Sequence, residues 1–255
     1  MSALIGSELL KLRTARSFVV LGAIGVGICL LISIATGFVA DYSRSDPRPG
    51  LDLISTASTV LFFTLMIGVL SVTTEYRHGS IASSLMVEPN RVRLLAAKLI
   101  AVVALGALVG LVTAGLCLTI GEATLPGRGY PLGLDGAEVI KLLAGMTAAG
   151  GLTAAIGAGA GALIRKQTAA VVGVIVYLLL VETLITALVL DAALDVKPLE
   201  RYSIGNAMVE VTGTAPVNGL ADPFGQLSGG LILLAWAALL ALVGGAVMRN
   251  RDITD

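Results

Sequence analysis

Charge is scarce in this chain. Only 13% of its 255 residues are Asp, Glu, Lys or Arg, where a soluble domain of this length carries about 25%. With 56% hydrophobic residues and a mean hydropathy of +0.94, a water-soluble globule is excluded and an integral membrane protein is indicated. The 17 basic and 17 acidic residues cancel, so the electrostatic footprint of a nucleic-acid-binding protein is missing and nucleic acid is not an expected partner. Histidine occurs once, as His78 in a polar stretch, and a Ser/His hydrolase of the membrane interior needs its histidine beside a buried serine. The two cysteines, Cys29 and Cys117, lie inside apolar runs and read as packing residues rather than a disulfide. No HExxH, paired-cysteine motif or cluster of metal ligands occurs, so neither a catalytic residue nor a metal site is expected. A phosphate-binding G-x-x-x-x-G-K-S/T loop is also missing, so nucleotide hydrolysis is not expected on this chain. The GAGAG run at Gly157–Gly161 has neither a preceding strand nor a Lys-Ser/Thr ending, and it reads as helix packing.

Long apolar runs are abundant. Six stretches approach the roughly 20 residues needed to cross a bilayer: 18–39, 53–73, 94–120, 139–164, 168–190 and 227–248. The first is as long as a full span and lacks a small-residue cleavage site after it, so a cleavable leader is not expected. Six crossings put both termini on one side, and Lys/Arg placement chooses which. Lys11, Arg13, Arg16, Arg77, Arg91, Arg93, Lys98, Arg165, Lys166, Arg249 and Arg251 fall on the side of the termini. The other side holds only Arg44, Arg48, Arg128, Lys141, Lys197 and Arg201. Both termini are therefore expected in the cytoplasm.

Before the first span, Met1–Ser17 mixes Leu4, Ile5, Leu9, Leu10 and Leu12 with Glu8, Lys11, Arg13 and Arg16, a pattern suited to a helix lying in the membrane interface. The chain's organising stretch is the polar island Thr73–Lys98, which is too charged for hydrocarbon. Gly79 suits a turn, Ser80 suits a helix cap, and Ile81 and Leu85 share one face of a short helix over Ser80–Val87. Pro89 ends it and Asn90 caps the next helix. So short a helix does not stand alone in water, and a partner is expected to cover Ile81 and Leu85.

Within the spans, Gly145, Ala149, Thr153, Gly157 and Gly161 recur every four residues and form a helix-packing stripe, with Gly150, Ala154 and Ala158 beside it. Such stripes let helix backbones approach closely in lipid, placing this span at the bundle centre or at a subunit contact. Glu182 is the one clearly intramembrane ionisable residue. It reads either as a substrate-path residue, with Thr59 and Thr64 of the second span, or as a structural hydrogen-bonding group. Arg165, Lys166 and Gln167 form a very short turn, and the segment 191–226 contains a candidate short helix near Ser203–Val211.

The island TEYRHGSIASSLMVEPNRVRLLAAK resembles the stretch after the second span in permeases of the type-2 ABC exporter family, and the ends SELLKLRTARS and RNRDIT are similar to those of bacterial members. The resemblance implies a single all-helical permease domain over 1–255 with six transmembrane helices and an N-terminal interfacial elbow helix. A short cytoplasmic coupling helix between spans two and three would dock on a separate ATPase. It implies two copies of that ATPase, which carry ATP and Mg, and a second permease chain, a homodimer in preference to a heterodimer. It also implies a multi-pass position in the bacterial plasma membrane. Glu75, Arg77, Gly79, Ser80, Ile81, Leu85 and Pro89 match the coupling region, and Lys11, Arg13 and Arg16 the elbow. Ser83 and Ser84 stand where bulkier or acidic residues are frequent in the family. The expected function is efflux of a drug, peptide, lipid or similar cargo. The alternatives are an ATP-independent channel or carrier coupled through Glu182, and a non-transporting scaffold or immunity protein.

Overall fold

A computed structural model describes residues 1–40, 48–185, 202–214 and 225–250, with backbone alone at 82, 83, 85, 87, 183 and 250. Among the described residues the secondary structure is helical throughout, without strands. Helix α1 (Ser2–Thr14) breaks at Ala15 before α2 (Arg16–Val39). Helix α3 (Pro49–Ser55) passes through a 3₁₀ stretch at Thr56–Thr59 into α4 (Val60–Arg77). Then come α5 (Ser80–Val87), α6 (Arg91–Thr124) and α7 (Gly136–Ile164). Helix α8 (Gln167–Val176) runs through a π turn at Tyr177–Val181 into α9 (Glu182–Leu184). Helices α10 (Ile204–Thr212) and α11 (Gln226–Asn250) follow.

Among the described residues, five helical segments are long and apolar enough to cross a membrane: Arg16–Val39, Pro49–Arg77, Arg91–Arg128, Gly136–Ile164 and Gln226–Arg249. The expected fifth span, 168–190, is a shorter apolar helix over Gln167–Val181 in the described chain, and its last residues lie outside the described ones. The expected helix near Ser203–Val211 is α10, capped where Ser203 accepts the Asn206 N–H at 3.3 Å. The rest of 191–226, apart from 202–214 and 225–226, lies outside the described residues, as does most of the C-terminal RNRDIT motif.

Helix α7 stands at the centre because its small residues let three long helices reach its backbone. A Cβ added at Gly157 or Gly161 would strike the Leu65 or Val69 carbonyl of α4, and one at Gly150 the Gly106 carbonyl of α6. On α11, a Cβ at Gly244 would come within 2.7 Å of the Gly159 carbonyl. In the same stripe, Thr153 and Thr64 hydroxyls share a hydrogen bond of 2.7 Å across α7 and α4. Gly145 approaches the Val211 carbonyl of α10, so the stripe also seats that short helix. The core is built from α4 and α7, the latter through Met146 and Ile156, with Cys29, Ala114 and Leu233 from neighbouring helices. Cys29 and Cys117 are both buried thiols within it.

Candidate coupling site at one end of the bundle

Helix α5 begins because the chain must reverse at the end of α4. Gly79 takes the left-handed conformation with φ 68°, which costs a residue without Cβ little. The N-cap position therefore falls on Gly79 rather than on Ser80, which is the first helical residue, and no side chain caps the helix. Glu88 is extended ahead of Pro89, ending α5 as expected. Asn90 then caps α6, its Oδ1 accepting the Val92 and Arg93 N–H groups at 3.1 Å each.

Four charges close under this turn. Lys98 of α6 donates to Glu8 Oε2 of α1 at 2.5 Å and to Glu75 Oε1 of α4 at 2.9 Å. Lys11 of α1 donates to Glu8 Oε1 at 2.6 Å and to Glu75 Oε1 at 3.1 Å. The same Lys11 Nζ lies 3.2 Å from Ser84 Oγ of α5, so one ammonium touches three helices. Glu8 is 2% exposed and the Lys98 side chain 7%, so both charges are removed from solvent and depend on one another. Burial alone would push Glu8 up. The Lys98 charge beside it and hydrogen bonds from Lys11 and Lys98 outweigh that and hold it below the usual carboxylate value. Burial likewise disfavours the Lys11 ammonium, yet the bond from Glu8 and the field of Glu75 leave its pKa raised.

The sequence pattern pointed Lys11 toward lipid headgroups and left Glu8 without a role. The structure buries Glu8 and turns the half-exposed Lys11 onto it and Glu75, and Arg13 and Arg16 remain exposed on α1 and α2. An i, i+3 Glu-Lys pair in a short amphipathic helix was the available signal, but nothing in it named Lys98 as the third member.

Ile81 does not need an external partner. It is 3% exposed, packed among Val72, Leu94, Leu95, Ala158, Ala162 and Met248 of the same chain. Among the described side chains of α5, the apolar one left uncovered is Met86, at 84% exposure, which the pattern of Ile81 and Leu85 did not single out. The Leu85 side chain lies outside the described ones.

Basic residues complete this end. Arg77 donates to Gln167 Oε1 of α8 at 3.1 Å. Arg91 and Arg165 donate to the Met248 and Val247 carbonyls at 2.8 and 3.1 Å, capping the last turn of α11 with positive charge. Arg165 holds φ 56° in the tight α7–α8 turn, its guanidinium 5.3 Å from the Tyr76 ring centroid. Tyr76, Arg77, Arg165, Lys166 and Gln167 line a cleft of about 800 Å³.

The candidate path residues are dispersed. Thr59 is exposed, and Thr64 is buried in its bond with Thr153. Glu182 Oε1 accepts the Gly205 N–H at 2.6 Å, at the N-terminus of α10. A Cβ on Gly205 would stand 2.8 Å from that oxygen, so a larger residue there would require the Glu182 carboxylate to shift.

A bundle of long apolar helices, with a short helix folded against its charged rim between the second and third of them, is the architecture of a multi-pass membrane protein. The chain belongs to the ABC-2 transporter family, whose model (ABC-2 family transporter protein) matches residues 4–184, from within α1 to the end of α9. Membership implies partnership with an ABC ATPase subunit, the family's permease being its membrane component. No curated protein matches the sequence.

Proposed function

We propose that this chain is the permease subunit of an ATP-driven exporter of the bacterial plasma membrane, with both termini cytoplasmic and six crossings, the fifth through α8 and α9. Two copies, as a homodimer, pair with two ATPase subunits that carry ATP and Mg. Helix α5 is the coupling helix on which the ATPase docks, and α1 is the interfacial elbow. The excess of Lys and Arg on the side of the termini supports the orientation.

One observation carries the reading: the single Lys11 ammonium binds Ser84 of α5, Glu75 of α4 and Glu8 of its own α1. A force applied to α5 therefore reaches the elbow and the second span together, through short charge-assisted bonds rather than a flexible loop. Lys98 extends the same body to α6. Closure of the ATPase pair on ATP would then bias a two-state rigid-body change, with α7 as the bearing on which α4 and α6 slide. The cargo is a drug, peptide, lipid or similar molecule leaving the cytoplasm.

The test is co-purification. Met86→Asp puts a charge at the exposed apolar point of α5 and should reduce recovery of the ATPase at least tenfold, with membrane insertion and thermal stability unchanged. Full recovery of the ATPase with Met86→Asp would remove α5 as the docking element.

A further inference from the structure

A trough of about 640 Å³ runs between α1, α2 and α6, apart from the coupling site. Its existence follows from residue size. Gly22 and Ala23 of α2 and Ala104 of α6 withhold side-chain volume where the two helices diverge, and a Cβ at Gly22 would meet only the Ile67 Cδ1 at 3.8 Å. Leu12 and Phe18 are buried at one end, and the lining continues from Ala104 through Leu108 to Val112, some two turns further along α6. At the Leu12 end stands Arg13, exposed and without an ion-pair partner among the described residues. Arg16 opens α2 three residues later, so this end of the trough lies where the chain enters the membrane, at headgroup depth.

A groove with apolar walls in a bilayer fills with acyl chain, and an unmatched guanidinium at its rim selects the headgroup. An anionic phospholipid satisfies both at once. A zwitterionic lipid brings a second cation to Arg13, and a free phosphate leaves the trough unfilled. We propose that this trough holds one anionic phospholipid, with an acyl chain along Gly22, Ala23 and Ala104 and its phosphate on Arg13, bracing α1 against α2.

The experiment is native mass spectrometry of the purified, detergent-solubilised chain titrated with dioleoylphosphatidylglycerol or dioleoylphosphatidylcholine. One basic residue near an anionic headgroup makes phosphatidylglycerol bind on the order of fivefold more tightly than phosphatidylcholine. Arg13→Gln should erase that preference and Arg13→Lys keep it. Ala104→Trp fills the trough and should weaken both lipids, with Ala23→Leu as the second variant if the first does not fold. The proposal is overturned by equal binding of the two lipids, by a preference that survives Arg13→Gln, or by lipid binding indifferent to the trough-filling variant. Displacement of phosphatidylglycerol by inorganic phosphate would mark a free-anion site instead. Self-cross-linking of Ala104→Cys between copies in membranes would mark a subunit interface.

Discussion

Lys98 is the cation on which the charged rim closes. Removing it strands Glu8 and Glu75, both buried, with only the half-exposed Lys11 to answer them. Breaking a buried pair from one side costs on the order of 3–5 kcal/mol, so Lys98→Met should lower the unfolding midpoint strongly in detergent. Replacing Glu8 by Gln in the same chain should restore part of the loss. The pH dependence has a definite sign. Glu8 is held below its ordinary pKa, so its contribution is present above the unfolded carboxylate value of about 4.3 and is lost as pH falls through the folded one. Lys11 is raised, so its contribution is full below about 10.4 and is lost only as pH climbs through its folded value. Thermal unfolding across pH should therefore show a plateau through neutrality with an acid limb, and Glu8→Gln should shrink that limb.

Among the elements, α7 shows why glycine rather than hydrophobicity decides this packing. Gly106 and Gly115 lie on the same helix, α6, yet a Cβ at the first strikes the Gly150 carbonyl and at the second meets nothing within 4 Å. Gly106→Leu should cost about 1–3 kcal/mol or more through overpacking, read as a lower unfolding midpoint, with Gly115→Leu close to the parent. The stripe itself was legible, since Gly145, Gly157 and Gly161 at fourfold spacing can only serve close approach in lipid. So were α5 and its ends, because Gly79, Pro89 and Asn90 act on local backbone alone. Ion pairing between α1, α4 and α6 was not legible. Glu8, Glu75 and Lys98 are far apart in sequence, and periodicity carries no information on which helices become neighbours. For the same reason Ile81 was expected to await a partner, when Leu94 and Met248 of its own chain cover it. Glu182 illustrates a third limit: one intramembrane carboxylate reads equally as a path residue or as a hydrogen-bonding group, and only the fold brings Gly205 to it.

At the scale of the whole molecule, the two ends of the bundle are built differently. The end bearing α1 and α5 is tied by charged side chains and by arginines on helix carbonyls. The opposite end is tied by α10, which is held by Glu182 and, at its other terminus, by Gln226 donating to the Thr212 carbonyl at 3.2 Å. On the proposed coupling the drive enters at the end bearing α1 and α5, and the Lys11–Glu8–Glu75–Lys98 cluster links three helices there. The most direct test places a photo-cross-linking residue at position 86 in the intact chain, in membranes that also contain the cell's ABC ATPases. The account predicts an adduct with a P-loop ATPase that forms in the parent background and is lost when Lys11 is changed to Met and Ser84 to Ala. An adduct absent in the parent, or position 86 labelled by an impermeant reagent from outside the cell, would contradict it.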